Sequence, residues 1–137
     1  MKTIWYVDDD SEMIQAVKLM LQLLDYQTRP FMNARKAAKS LLAGEKPDVL
    51  LLDINMPGVS GLDMLEFVRR RDEWKDLPIV MLSSEADDIH VDAAMELGAD
   101  SYVFKPVTME ELEVALKTAE EKRKNFKQAG GRNLKVG

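Results

Sequence analysis

Short aliphatic runs recur along this chain, separated by longer stretches with helical periodicity, and this alternation restricts the possible folds most. The runs lie at residues 3–7, 26–32, 49–53, 79–83 and 101–105. Short buried strands that alternate with amphipathic helices are typical of βα units on a parallel sheet. We therefore predict an α/β fold, a doubly wound five-stranded parallel sheet with five helices.

The order of the strands follows from one proline. Pro30 interrupts the second run, and a proline without an N–H group is tolerated in a sheet mainly at an edge strand. Doubly wound sheets commonly take one of two strand orders, and an edge position for the second strand favours 2-1-3-4-5, the flavodoxin-like order. Strands one and three then flank the switch point, where ligands bind beyond the carboxyl ends of the strands.

Helix-starting residues follow several of these strands. Asp10, Asn33 and Ser60 each precede a helical pattern and can act as N-caps. Thr108 and Glu111 have the spacing of a capping box at the start of the last helix. These signals support a helix after each of the strands that they follow.

The length and composition indicate one globular domain. The chain has 137 residues, is 46% hydrophobic and contains no cysteine. It lacks the roughly 18 consecutive apolar residues of a membrane span and shows no signal-peptide pattern at its start. We expect a cytoplasmic protein with no membrane association. We assign residues 1–122 to the domain and residues 123–137 to a basic, partly disordered C-terminal tail.

The charge is unevenly distributed. The formal net charge is −5, but residues 120–137 carry +4, which leaves −9 on residues 1–119. An acidic body argues against direct nucleic-acid binding by the main domain. We interpret Lys122, Arg123, Lys124 and Lys127 as a solvated helix end, with a docking arm or a linker to an output domain as the alternative.

Polar side chains stand where four of the strands end. The first strand runs into Asp8 and Asp9, the third ends at Asp53, the fourth at Ser83 and the fifth at Lys105. A carboxylate at the end of a buried strand is costly to desolvate, so its presence needs a compensating interaction. In the predicted strand order these side chains converge at one edge of the sheet.

Clustered carboxylates require a positive partner. Two of them about 4 Å apart repel by roughly 4 kcal/mol at an effective dielectric near 20. Lys105 is one candidate partner and a divalent cation is the other, with Mg²⁺ suited to an all-oxygen site. A cation, an ammonium group and a nucleophilic carboxylate together predict a site that accepts a phosphoryl group.

The chain resembles the response regulator receiver domains, the CheY-like family of bacterial two-component signalling. The resemblance covers residues 1 to about 122. The matching features are Asp8-Asp9, the loop from Asp53 through Met56-Pro57-Gly58, Ser83, and Lys105-Pro106. Each of these is weak alone, but their order at the ends of successive strands is highly specific.

The resemblance implies a function and a cofactor. Asp53 would be the phospho-acceptor. Asp9 and Asp53 would hold Mg²⁺ directly, with Asp8 helping through water, and the backbone carbonyl of Asn55 would complete the protein ligands. The phosphoryl donor would be the phosphohistidine of a histidine kinase or a phosphotransfer protein. The protein would act as a phosphorylation-operated switch that also catalyses its own slow dephosphorylation.

The resemblance also implies roles around the acceptor. Lys105 would pair with the phosphoryl group, and its bond to Pro106 would be cis. Ser83 and Tyr102 would be the switch residues. Asn55 and Glu85 would influence the lifetime of the phosphoryl group. The surface built by helix four, strand five and helix five would respond, and a homodimer could form through it.

Three positions depart from the commonest family pattern. Ser83 is often Thr, and the hydroxyl is kept. Ser84, which flanks the site, is often Ala and remains small. Asp25 stands where a glycine often ends the first helix, and Asp tolerates the left-handed backbone moderately well. No acceptor or metal position is missing.

Other classes of function remain open on sequence alone. A haloacid-dehalogenase-type aspartyl phosphatase needs a second acid two residues after its nucleophile, where this chain has Asn55. A flavin-binding module would need a phosphate cradle where Asp8, Asp9 and Asp10 would repel the phosphate. An interaction domain that ignores phosphorylation would keep its partner binding in an Asp53→Asn variant.

Overall fold

The computed structural model describes residues 1–84 and 88–136, with the side chains of the last helix described as far as Phe126. Strands and helices alternate along the described chain, and one short 3₁₀ helix, Asp72–Trp74, follows the third α-helix. The elements are β1 (Thr3–Val7), α1 (Ser11–Leu23), β2 (Gln27–Phe31), α2 (Ala34–Leu42), β3 (Val49–Asp53), α3 (Gly61–Arg70), β4 (Ile79–Ser83), α4 (Asp88–Glu96), β5 (Ser101–Phe104) and α5 (Met109–Val136).

The five strands form one parallel sheet in the order β2-β1-β3-β4-β5, which confirms the predicted fold and strand order. β2 lies at an edge, as Pro30 predicts. β1 and β3 are paired neighbours, with Tyr6 opposite Leu51. The ends of β1 and β3 therefore lie side by side, which brings the acids that follow them together.

Helices cover both faces of the sheet. On one face, buried residues of α1 and α5 pack with β1, β3 and β4; these residues include Ile14, Val17, Leu21, Leu112 and Leu116. On the other face, α2, α3 and α4 supply buried residues that include Ala37, Leu41, Met64, Leu65 and Ala94. All five residues of β3 and of β4 are buried, as expected for central strands with both faces covered.

The first two N-caps form as predicted. The side chain of Asp10 accepts hydrogen bonds from the backbone N–H groups of Glu12 and Met13, at 3.0 and 3.2 Å. Asn33 accepts one from Lys36 at 3.0 Å. Asp25 follows α1 with a φ of 67°, in the left-handed region that its position predicted. Asp10 thus serves α1 and differs in role from the two acids before it.

The caps of α3 and α5 differ from each other. Ser60 and Asp63 form a complete capping box, in which each side chain accepts from the other residue's backbone N–H. At α5 the hydroxyl of Thr108 accepts from the backbone N–H of Glu111 at 3.2 Å. The same hydroxyl donates to the Glu111 carboxylate at 2.9 Å. This carboxylate thus accepts from the Thr108 hydroxyl instead of from the Thr108 backbone N–H, as the predicted capping box requires.

A buried ion cluster fastens α5 to the opposite end of the sheet from the acids. Asp100 is 1% exposed and precedes β5. Its carboxylate accepts from Arg69 Nη2 at 2.9 Å, from Arg123 Nε at 2.6 Å and from the backbone N–H of Ile79 at 2.9 Å. The ammonium group of Lys122 donates to the backbone oxygen of Asp100 at 2.7 Å.

The interpretation of residues 122–124 as a solvated helix end is therefore wrong for Arg123, whose side chain is 15% exposed. Lys124 is exposed, as that interpretation requires. The side chain of Lys127 lies outside the described residues, and so do the other side chains of the predicted tail from residue 128 to residue 137. Among the helices of the described chain, none is long and apolar enough to cross a membrane.

Candidate functional site

Asp53 is the last residue of the central strand β3, and its side chain is 2% exposed. The loop that follows is drawn back onto the strand by a hydrogen bond from the backbone N–H of Gly61 to the backbone oxygen of Ile54, at 3.0 Å. A Cβ atom at Gly61 would lie 2.1 Å from the backbone oxygen of Asp53. Only glycine fits this approach, which fixes the backbone directly beneath the Asp53 carboxylate.

Asp8 and Asp9 follow β1 beside Asp53. Asp8 is fully buried, whereas Asp9 is exposed. The Oδ1 atom of Asp8 accepts from the backbone N–H of Asp10 at 3.0 Å, and its Oδ2 atom accepts from the hydroxyl of Tyr6. Asp8 is thus held at both oxygens, and Asp9 is left open to solvent.

The acids Asp8, Asp9 and Asp53 converge as the sequence predicted. Each offers a carboxylate oxygen, and these oxygens lie within 4.8 Å of one another. Carboxylate oxygens grouped at this spacing, with one acid open to water, are the donor set that Mg²⁺ prefers. The residues present therefore fit the predicted cation.

Lys105 brings a positive charge to the same place. Its Nζ atom lies 2.9 Å from Oδ1 of Asp53 and 3.7 Å from Oδ2 of Asp8. Its backbone N–H donates to the backbone oxygen of Ser83 at 2.9 Å, which extends the pairing of β4 with β5. The peptide bond between Lys105 and Pro106 is cis, as expected.

The electrostatics of the site favour protonation of Asp53. Burial raises the pKa of this carboxyl, the hydrogen bond from Lys105 lowers it, and the charges of Asp8 and Asp9 raise it further, with a raised pKa as the result. For Lys105, burial lowers the pKa, but the hydrogen bond and charge of Asp53 outweigh it and the pKa is raised. One ammonium group thus faces an excess of carboxylates.

The remaining predicted residues surround this cluster. Ser83 is fully buried at the end of β4, and Ser84 after it is exposed. Tyr102 is half-buried on β5, with its ring 5.2 Å from that of Phe104. Asn55 and Pro106 are exposed on their loops. Glu85 lies outside the described residues.

Tyr6 is a member of this cluster that our sequence analysis did not identify. Side chains two residues apart in a strand point to the same face, so a buried Tyr6 could have been expected to meet Asp8. Burial, then the hydrogen bond to Asp8 and the nearby acids, raises the pKa of the Tyr6 hydroxyl. The hydroxyl therefore remains protonated and acts as a donor.

Residues 4–117 match the response regulator receiver domain family. The chain belongs to this family. The receiver is 35% identical over 122 residues to the chemotaxis protein CheY1 of Helicobacter pylori strain J99, covering 82% of this chain and 94% of that protein. It is 32% identical over 116 residues to the phosphate regulon transcriptional regulatory protein PhoB of Pseudomonas aeruginosa, covering 85% of this chain and 50% of PhoB.

The fold of the receiver agrees with solved structures. The chemotaxis protein CheY4 of Vibrio cholerae superimposes with a TM-score of 0.78 at 29% identity, covering 87% of this chain and 98% of that one. The receiver spans about half the length of several of its curated relatives, PhoB among them. It is a receiver domain of the kind found in two-component systems.

Proposed function

We propose that the receiver is a phosphorylation-activated switch in which Asp53 accepts a phosphoryl group from the phosphohistidine of a histidine kinase or phosphotransfer protein. The observation that carries this proposal is the meeting of Asp8, Asp9 and Asp53 around the Lys105 ammonium group, which lies 2.9 Å from the Asp53 carboxylate. A carboxylate can act as the nucleophile that forms an acyl phosphate, and the hydrogen bond from Lys105 favours the ionised form of Asp53 that such an attack needs.

The transfer would form one bond and break one. An oxygen of the ionised Asp53 carboxylate attacks the phosphorus, the bond between phosphorus and the histidine nitrogen breaks, and its electron pair stays with the imidazole. The product is an acyl phosphate on Asp53. Water would later attack the phosphorus, the bond between phosphorus and the Asp53 oxygen would break, and inorganic phosphate would leave as the carboxylate is regenerated. This is the slow dephosphorylation expected of the domain.

Charge neutralisation would come from two sources. When bound by Asp8, Asp9, Asp53 and the backbone carbonyl of Asn55, Mg²⁺ would supply positive charge against the phosphoryl oxygens. Lys105 would pair with a phosphoryl oxygen, since its Nζ atom already lies at hydrogen-bond distance from the acceptor carboxylate. Asn55 and Ser84 on the exposed rim, together with Glu85, would set how easily water reaches the product.

The response would begin at Ser83 and Tyr102. Phosphorylation adds about −1.5 to −2 charge at the end of β3, and the Ser83 hydroxyl would turn toward it. Tyr102 would follow and change the surface formed by α4, β5 and α5. This surface, where Phe104 and Val114 are 37% and 64% exposed, would bind the downstream protein, an output domain or a second copy of the chain.

The test uses a small phosphodonor. Acetyl phosphate or beryllofluoride with MgCl₂ should modify the wild-type protein, as followed by intact mass spectrometry or by ¹⁹F NMR. Asp53→Asn should abolish the modification, and so should excess EDTA. Asp72→Asn serves as the matched control because Asp72 is exposed and lies outside the site, so this variant should react as the wild type does.

Two results would contradict the proposal. Modification that survives Asp53→Asn would place the acceptor elsewhere, and modification without a divalent cation would remove the role given to the acids. A protein that binds its partner equally with and without modification would instead be an interaction domain that ignores phosphorylation.

A further inference from the structure

We infer that Tyr6 is a positioning residue of the acidic site, which holds the Asp8 carboxylate in the orientation needed for cation binding. This inference rests on the proposed function, because it assigns to Tyr6 a part in the same Mg²⁺ site. Tyr6 touches neither the acceptor nor the cation in this scheme and acts only through Asp8.

The strand geometry places the hydroxyl where it is needed. Ile4 and Tyr6 point to the face of the sheet that packs against α1 and α5, and both are fully buried. Asp8, two residues further on, shares that side of the chain. Its backbone N–H donates to the backbone oxygen of Phe31 at 3.0 Å, so it continues the pairing of β1 with β2. The ring fills the core while the hydroxyl reaches the carboxylate.

The two oxygens of Asp8 are held from opposite directions along the chain. Oδ1 accepts from the Asp10 N–H and Oδ2 accepts from the Tyr6 hydroxyl. Without the hydroxyl, the cationic group nearest to Oδ2 is the Lys105 ammonium, at 3.7 Å. Asp8 would then turn toward Lys105, and Lys105 would be shared more evenly between Asp8 and Asp53.

A hydroxyl suits this task because it donates a hydrogen bond to Oδ2 and brings no ammonium group that would compete with a cation for the acids. Hydrogen bonds to metal-binding carboxylates fix their orientation, and their removal typically weakens metal binding by about 10- to 100-fold.

The experiment compares two Tyr→Phe variants. Mg²⁺ alone is titrated by isothermal titration calorimetry, and Tyr6→Phe should weaken its binding about tenfold. Tyr26→Phe is the matched control: its hydroxyl also donates to a carboxylate, that of Glu120 at 3.2 Å, but far from the acidic site. This control should bind Mg²⁺ as the wild type does. Tyr6→Leu, which also lacks the hydroxyl, should reproduce the loss.

Two further measurements separate positioning from a general loss of structure. Beryllofluoride binding should need about tenfold more Mg²⁺ for half-saturation in Tyr6→Phe, yet reach the wild-type extent at saturating Mg²⁺. In an Asp8→Asn background, Tyr6→Phe should cause no additional loss, because the partner through which Tyr6 acts is already changed.

Specific outcomes would overturn the inference. If Tyr6→Phe binds Mg²⁺ within twofold of the wild type while the wild type is still modified at Asp53, the role of Tyr6 is wrong and the proposed function stands. If Tyr6→Phe weakens Mg²⁺ binding as much in the Asp8→Asn background as in the wild type, Tyr6 does not act through Asp8. A wild-type protein that binds no Mg²⁺ would overturn the proposed function and this inference together.

Discussion

Within the part of the chain that the structure describes, Lys105 is the one cation beside the three acids of the site. Its ammonium group lies 2.9 Å from Asp53 and 3.7 Å from Asp8, and Asp9 stands beside both. One positive charge therefore leaves the site with an excess of negative charge in a largely buried setting. Burial raises the pKa of the Asp53 carboxyl, and the charges of Asp8 and Asp9 raise it further, although Lys105 lowers it. The site gains most from a partner that adds positive charge.

The first prediction concerns the pH dependence of stability in EDTA. Because its pKa is raised above the ordinary 3.8, Asp53 holds its proton more tightly in the folded protein than in the unfolded chain. Protonation of Asp53 therefore stabilises the folded protein. This contribution is fully present below the ordinary pKa of the unfolded chain and is lost as the pH rises through the pKa of Asp53 in the folded protein. Asp53→Asn should remove this loss, so at pH 7 it should have a higher free energy of unfolding than the wild type.

Urea unfolding monitored by circular dichroism measures this difference. Saturating Mg²⁺ should stabilise the wild type much more than Asp53→Asn, because the variant lacks one of the proposed ligands. Asp72→Asn should follow the wild type in both buffers. A lower free energy of unfolding for Asp53→Asn in EDTA at pH 7 would contradict the prediction.

At the scale of elements, the β3–α3 loop is shaped by two glycines with different requirements. Gly58 has a φ of 78° but open space where a Cβ would lie. Gly61 is the first residue of α3, and its Cβ would lie 2.1 Å from the backbone oxygen of Asp53 and 2.8 Å from Ile54 Cα. The first glycine is required by its backbone angle, and the second by close packing against the acceptor strand.

The second prediction separates these two requirements. Gly58→Ala should cost roughly 1–2 kcal/mol of stability, the usual penalty for a left-handed backbone. Gly61→Ala should cost about 3 kcal/mol or more, since backbone atoms must move to admit the methyl group. It should also weaken Mg²⁺ binding, because the displaced strand end carries Asp53. Urea unfolding measures the loss of stability in both variants. An equal loss for Gly58→Ala and Gly61→Ala would show that close packing at Gly61 adds nothing to the cost.

Much of the element structure could be predicted because its signals are local. Pro30 predicted the edge strand, Asp10 and Asn33 predicted helix starts, and the aliphatic runs at residues 49–53 and 79–83 match β3 and β4. These features depend on the missing N–H of proline, on short side chains that bond nearby backbone groups, and on hydrophobic periodicity.

The features that escaped prediction depend on contacts between distant parts of the chain. Trp74 ends a 3₁₀ helix and is buried, with its ring 5.6 Å from that of Phe67, and no local pattern announces this packing. Arg123 stands in a charged stretch, but its partner Asp100 lies in the loop before β5. The site residues could be predicted because parallel strands bring their carboxyl ends to one edge of the sheet. No such rule predicts which residue pairs with Arg123.

At the scale of the whole molecule, the two ends of the sheet differ in how their charges are satisfied. At one end, Lys105 faces the three acids Asp8, Asp9 and Asp53. At the other, Asp100 is bound by Arg69, Arg123 and the backbone of Ile79. Burial and the nearby Arg123 lower the pKa of Arg69 to about 10, although Asp100 raises it. Asp100 is thus the anion that allows two arginines to lie together.

The third prediction follows from this pairing. Asp100→Ala should destabilise the protein by about 3–5 kcal/mol, because it leaves two largely buried guanidinium groups without the carboxylate that they share. Asp72→Ala, which removes an exposed pair with Lys75 at 3.2 Å, should cost less than about 1 kcal/mol. Thermal unfolding measures both. A cost for Asp100→Ala below that of the control would show that the cluster contributes nothing.

The fastening of Arg123 also has a mechanical consequence. Through Asp100, α5 is anchored to the amino-terminal end of the sheet, whereas the added charge of a phosphoryl group would arrive at the carboxyl-terminal end. A helix fastened at one turn and perturbed near its other end is displaced least at the fastened turn. Displacements should therefore grow along α5 from Arg123 toward Met109, so that the start of this helix moves most and the anchored turn serves as the fixed reference.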